Sequence, residues 1–206
     1  MRMIERDLFF KYLPLHIVLI IPIPGRFVFG ITIVLEHILL TLVGTLINSL
    51  VDTLRLKELK TVIIMLAIIS ASVLFRQILV VTYTEIALTL GYLIFLPAVS
   101  LFLIQIVYSD LENPLGVRLR ENLIQTAVFS VGTLILFLFR DIAGYGTFTF
   151  YSKNHTFSEK ILFERESAGI LSFFATLPGI LLLVALILFA SLRFHEKINR
   201  EFGESK

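Results

Sequence analysis

The sequence predicts an all-α integral membrane protein of six transmembrane helices, and three observations carry that prediction. Hydrophobic side chains make up 57% of the 206 residues, with a mean hydropathy of +0.91, which is more apolar surface than one soluble core of this size can hide. Six apolar segments punctuate the chain, and most are long enough to cross about 30 Å of hydrocarbon at about 1.5 Å per residue. Lys and Arg fall unevenly on the two sides of those segments, as they do in proteins whose orientation is set by charge.

The segments run Leu13–Pro24, Gly30–Leu50, Thr61–Thr82, Ile86–Val107, Leu123–Phe139 and Ala168–Leu192. Each is expected to be helical, because lipid offers an unpaired backbone group no partner. The first, at 12 residues, spans only if the chain continues past Pro24 in a broken helix. It follows a charged start, but Glu5 and Asp7 spoil the basic region of a signal peptide and no small-residue cleavage site follows, so it is expected to be retained.

The second segment carries Glu36 and His37, and the third carries Arg76 and Gln77. A charge at a helix centre costs about 2.5–3.5 kcal/mol on insertion scales, so partners or a polar cavity are expected. Glu36 lies six residues after Gly30 and Arg76 six before Thr82, which places them level in adjacent antiparallel helices. Two readings follow: a buried ion pair of Glu36 with Arg76, or a cation or proton relay through Glu36 and His37. The fourth segment is interrupted at Gly91 and Pro97, as the first is at Pro22, Pro24 and Gly25. Matching breaks in the first segment of each half predict two inverted three-helix repeats, residues 13–82 and 86–192, within a single membrane domain.

The fifth segment ends on "FRDIAGYGTF". Arg140 and Asp141 are expected to satisfy each other and the last helical carbonyls, with Gly144 and Gly146 supplying positive φ angles, in a helix-terminating turn at the membrane surface.

With the N-terminus on the cytoplasmic side, twelve Lys and Arg fall inside and five outside, and Arg76 lies within a span. Both termini are therefore expected in the cytoplasm. A net charge of +2 gives no reason to expect a nucleic-acid partner. The absence of cysteine removes disulfides, thiol nucleophiles and thiolate metal sites, and His16 has no second ligand at metal spacing. Asn154–Thr156 reads as a glycosylation sequon, a triplet common by chance.

"RDIAGYGT", Arg140 to Thr147, resembles the R-E-L-L-G-x-G-T motif of the six-helix membrane subunits of Rnf and Nqr electron-transport complexes, the Rnf A/E and Nqr D/E type. Four of its seven specified positions match, and Asp141 replaces Glu. "NPLGVRLRENLIQTAVFSVGTLILFLF" before it and "LPGILLLVALILFASL" after it are similar to the family's flanking helices, and so is "LRLKELKTVIIMLAIISASVLFRQILVVTY" upstream. The resemblance implies a non-catalytic subunit of a bacterial inner-membrane complex that couples electron transfer to Na⁺ or H⁺ movement, paired with a homologous six-helix subunit. The cytoplasmic N-terminal extension looks more like the Rnf E/Nqr D side of that pair.

The family's cysteines hold an iron–sulfur centre between paired subunits. Alignment on the family's prolines puts Ile23 at the first sulfur position, and alignment on its L-G puts Ser100 and Leu101 at the N-C pair. Neither Ile nor Leu can replace a thiolate, so no metal or other cofactor is expected on this chain. The broken segments should instead meet through apolar packing of Ile23, Pro24, Pro97 and Leu101, and the chain would act as an ion-pathway or scaffold subunit. A stand-alone secondary transporter or small-ligand membrane protein of the same fold is the alternative.

Overall fold

The computed structural model describes residues 21–56, 58–108, 113–152, 155–163 and 171–203. Leu13–Ile20 of the first predicted segment, His16 and Asn154 lie outside the described residues. The described chain is mostly helical, and three of its helical stretches are long and apolar enough to cross a membrane: Phe27–Thr53, Lys60–Thr82 and Leu115–Tyr145. The chain therefore has the architecture of a helical membrane protein.

Helix α1 spans Phe27–Thr53, and α2 spans Lys60–Thr82. The turn between them closes with Arg55 in the left-handed region at φ 57, where its N–H donates to the Asp52 carbonyl and that of Leu56 to Val51. This pattern satisfies carbonyls that the helix end would otherwise leave open. After Tyr83 the chain continues as α3, Thr84–Leu90.

The predicted break in the fourth segment is present. Gly91 takes φ +52, two 3₁₀ turns follow at Gly91–Phe95 and Pro97–Val99, and α4 resumes over Leu101–Tyr108. Ser100, adjacent to the aligned sulfur position, starts α4: its Oγ accepts the Leu103 N–H at 3.2 Å in an N-cap.

Helix α5, Leu115–Phe139, begins eight residues before the predicted segment because Pro114 is well suited to the entry of a helix. It runs on into a π turn, Arg140–Tyr145, that ends on Gly146 at φ 71. Two antiparallel strands follow, β1 at Thr147–Tyr151 and β2 at Phe157–Ile161. This hairpin is a two-stranded addition to an otherwise helical chain, which keeps the all-α membrane character expected from the sequence. The last helix, α6, covers Leu177–Gly203, so it starts nine residues later than predicted; 171–175 form a 3₁₀ turn instead. Its apolar part, Leu177–Phe189, and the broken stretch Thr84–Val99 are both shorter than a full span.

Helices α1 and α5 lie antiparallel along their length, with α2 and α4 also packed on α1. Glycines allow the closest approaches: a Cβ on Gly30 would stand 2.6 Å from the Phe137 ring, and one on Gly44 would stand 2.6 Å from Val107. Small residues at helix contacts are the usual means of association where lipid is as apolar as the side chains. One core cluster holds Ile23, Val28, Phe29 and Ile33 with Leu79, Ile86, Leu90, Ile94, Phe129, Phe137 and Ile180; a second, at the other end, holds Leu40, Ile64, Ile68, Ala98, Leu103 and Val107.

Gly30→Val should lower stability by about 1–3 kcal/mol through overpacking against Phe137, read as a drop in thermal midpoint in detergent. Gly132→Val, where an added Cβ meets nothing within 4 Å, should leave the midpoint nearly unchanged.

Candidate functional site

The seam between α1 and α5 is polar although both helices are apolar overall. From α1 it takes Thr32, Glu36, His37, Thr41, Thr45 and Asn48, and from α5 it takes Asn122, Thr126, Ser130 and Thr133, all buried. Apart from the adjacent pair Glu36 and His37, the spacing of three or four residues on each helix puts these groups on one face. Thr41 donates to the His37 carbonyl at 2.9 Å, so across the seam its oxygen accepts from Thr126 at 3.0 Å. Asn122 donates to the Thr45 hydroxyl at 2.9 Å, and Asn48 donates to the Val107 carbonyl at 2.6 Å.

Each end of the seam is tied by charge or hydroxyl. At one end Asp52 pairs with Lys60 at 2.5 Å and Arg118 at 3.4 Å. At the other, Thr32 donates to the Val28 carbonyl and accepts the Tyr151 phenol proton across 2.6 Å. Burial pushes the Tyr151 phenol above its ordinary range, and Tyr83 acts in the same direction, against the Thr32 hydrogen bond. From Thr32 to Asp52 the polar face runs about 30 Å, the thickness of a bilayer's hydrocarbon.

Glu36 and His37 lie in this seam, fully enclosed. Glu36 accepts from the Ser72 hydroxyl of α2 at 2.5 Å through Oε1, while Oε2 has no hydrogen-bond partner among the described residues. The imidazole of His37 packs on Phe129, with ring centroids 5.3 Å apart. The predicted ion pair with Arg76 is not among the ion pairs of the described residues. Arg76 lies one helical turn beyond Ser72, about 6 Å further along α2, and is only partly buried. Matching depth alone did not bring the two together, because the shorter Ser72 fills the position facing Glu36.

The family-motif turn builds a second polar cluster. Arg140 and Asp141 do not pair with each other as predicted. Asp141, fully buried, accepts the backbone N–H of Phe27 at 3.0 Å and of Thr149 at 2.8 Å, and the hydroxyls of Thr147 and Thr149 at 2.7 Å each. Thr149 Oγ1 also accepts the Val28 N–H at 3.2 Å. The first turn of α1 is thus capped from 114 and 121 residues away. Arg26 donates to Thr147 at 2.8 Å and to Glu159 at 2.7 Å, stands 3.9 Å from Asp141, and covers the Tyr145 ring.

Arg140 reaches the other way, donating to the Ile23 carbonyl at 2.9 Å across Gly25, where a Cβ would come within 2.7 Å of its Nε. Of the two glycines in this turn, Gly146 alone supplies a positive φ. Gly144 is needed for space instead, since a Cβ there would meet the Ala175 backbone nitrogen at 2.8 Å. Of the predicted broken-helix contacts, Ile23 shares its cluster with Ile86, Leu90 and Ile94 of the second broken segment, and Pro97 is buried. Pro24 is partly buried, and the Leu101 side chain lies outside the described residues.

Arg26, Thr147, Thr149 and Glu159 were not predicted. The alternation Thr-Phe-Thr-Phe-Tyr is the strand signal that marks Thr147 and Thr149, with both threonines on one face, whereas no local pattern marks Arg26 or Glu159. Among the described residues no three His, Asp or Glu side chains stand together as a metal site. Neither the protein-family models nor the curated proteins contain a match to this chain.

Asp141→Ala strands four buried donors and should cost about 3–5 kcal/mol, seen as a large fall in thermal midpoint with loss of amide protection in the hairpin. Arg26→Ala, at the partly exposed pair, should cost less than about 1 kcal/mol. In a double-mutant cycle Glu36→Gln should couple to Ser72→Ala and act additively with Arg76→Gln. Coupling only to Arg76 would contradict the geometry.

Proposed function

We propose that this chain is an ion-pathway subunit of a membrane electron-transport complex of the Rnf/Nqr type, without iron–sulfur ligands of its own. The observation that carries the reading is Glu36: a carboxyl group fully enclosed nine residues into α1, one turn from the Thr32 end of a polar seam of about 30 Å, between helices that are otherwise apolar. A purely structural seam needs hydroxyls and amides, which Thr41, Thr45, Asn122 and Thr126 provide; an ionisable side chain at that depth is the mark of a transport pathway.

The electron-transport setting rests on the motif resemblance over Arg140–Thr147. Its residues here position the start of α1, the helix that bears Glu36. In this reading six segments cross the bacterial inner membrane as two inverted repeats, with the broken stretches Leu13–Pro24 and Thr84–Tyr108 as counterparts. The end bearing Arg55, Lys60, Arg118 and Arg120 faces the cytoplasm with both termini, and the hairpin faces outward.

The break at Gly91–Val99 also favours a second reading, a stand-alone secondary transporter, since discontinuous helices frame substrate sites in such proteins. Native purification separates the two. The expected result is recovery with a homologous membrane subunit and flavin- or ferredoxin-type electron carriers, identified by mass spectrometry; a chain that purifies alone and drives uptake into vesicles would establish the transporter instead.

A further inference from the structure

We propose that the ion carried at Glu36 is a proton, held on its carboxyl group, and that the site does not take a metal cation. The inference rests on the ion-pathway reading and names its ion. Glu36 has no exposed surface, and its Oε1 accepts the Ser72 hydroxyl proton at 2.5 Å. Oε2 has no partner among the described residues. A metal cation that gives up its water needs a ring of oxygens in return. Most seam hydroxyls near it are committed elsewhere: Thr32 to Val28 and Tyr151, Thr41 to His37 and Thr126, and Ser130 to the Thr126 carbonyl, which leaves Thr133 Oγ1 as a single unpartnered hydroxyl among the described seam residues, too few for such a ring.

A proton needs one oxygen only. An ionised Glu36 would be a buried charge with a single hydrogen bond, whereas the neutral acid carries no net charge into the apolar surroundings. The charged and titratable groups around it are few. His37 is its neighbour on α1, Arg76 lies a turn beyond Ser72 on α2, and Tyr151 of the hairpin reaches Thr32 one turn away. The facing stretch of α5, Thr126 to Phe137, carries no ionisable residue.

Dicyclohexylcarbodiimide tests the proposal on the purified full chain in detergent. This apolar reagent takes up a protonated carboxyl: the O–H adds across a C=N bond, and an O-to-N acyl shift leaves a stable N-acylurea, located by peptide mass spectrometry. Glu36 should be labelled in preference to the exposed Glu58 and Glu85, labelling should fall as pH rises, and excess NaCl or LiCl should not protect. Glu36→Gln should remove the label. Ser72→Ala deletes the hydroxyl that steadies the charged form, so labelling should persist to about tenfold lower proton concentration.

Protection by Na⁺ or Li⁺, or no label on Glu36 in folded protein, would overturn the proposal. The label requires neither partners nor transport. A chain labelled as expected that moves no ions refutes only the pathway reading, and a translocating complex with Glu36 protected by Na⁺ refutes only the proton.

Discussion

Helix α1 has no capping side chain of its own, and the rest of the structure depends on how that deficit is met. Its first N–H groups begin within the body of the protein, where an unpaired donor costs about 1–3 kcal/mol. Asp141 and Thr149 accept the donors of Phe27 and Val28, and Asp141 also gathers Thr147 and the backbone of Thr149. One carboxylate therefore joins the start of the most buried of the three long apolar helices, the end of α5 and the first strand. Arg140 fastens the chain before α1 through the Ile23 carbonyl, so consecutive residues of one π turn hold both sides of the Pro24–Gly25 bend.

From that fixed end the α1–α5 seam is laid out in register: Gly30 against Phe137, His37 against Phe129, Thr41 against Thr126, Thr45 against Asn122, Asp52 against Arg118. Pairing by hydroxyls and amides gives a defined register in lipid, where apolar side chains discriminate poorly between a neighbouring helix and an acyl chain. Glycine at Gly30 and Gly44 then brings the backbones close enough for these short side chains to meet.

Much of the helical framework was legible in the sequence. Apolar length located α1 and α2 to within three residues at each end, and Gly91 with Pro97 marked the broken segment, because these signals depend on backbone sterics that neighbours cannot override. The hairpin was less legible, since its strands are only five residues long and follow directly on a helix. Least legible were the partners. Glu36 and Arg76 match in depth, but rotation about the helix axis decides which side chain of α2 faces Glu36, and in helices apolar all round no amphipathic pattern reports that rotation. Arg140 and Asp141 are neighbours in sequence, yet a π turn sends their side chains to different targets, and the targets come from the far end of the chain.

The long-range cap has a consequence for how the chain is made. A ribosome delivers α1 more than a hundred residues before the carboxylate and hydroxyl that complete its first turn. During that interval the start of α1 must draw its hydrogen bonds from water or lipid headgroups, and the polar face bearing Glu36 has no α5 to lie against. The α1–α2 pair can form early, since Ser72 and Lys60 arrive soon after Glu36 and Asp52. Closure of the seam waits for α5 and the hairpin, so the polar face bearing Glu36 is the last part of α1 to gain its partners.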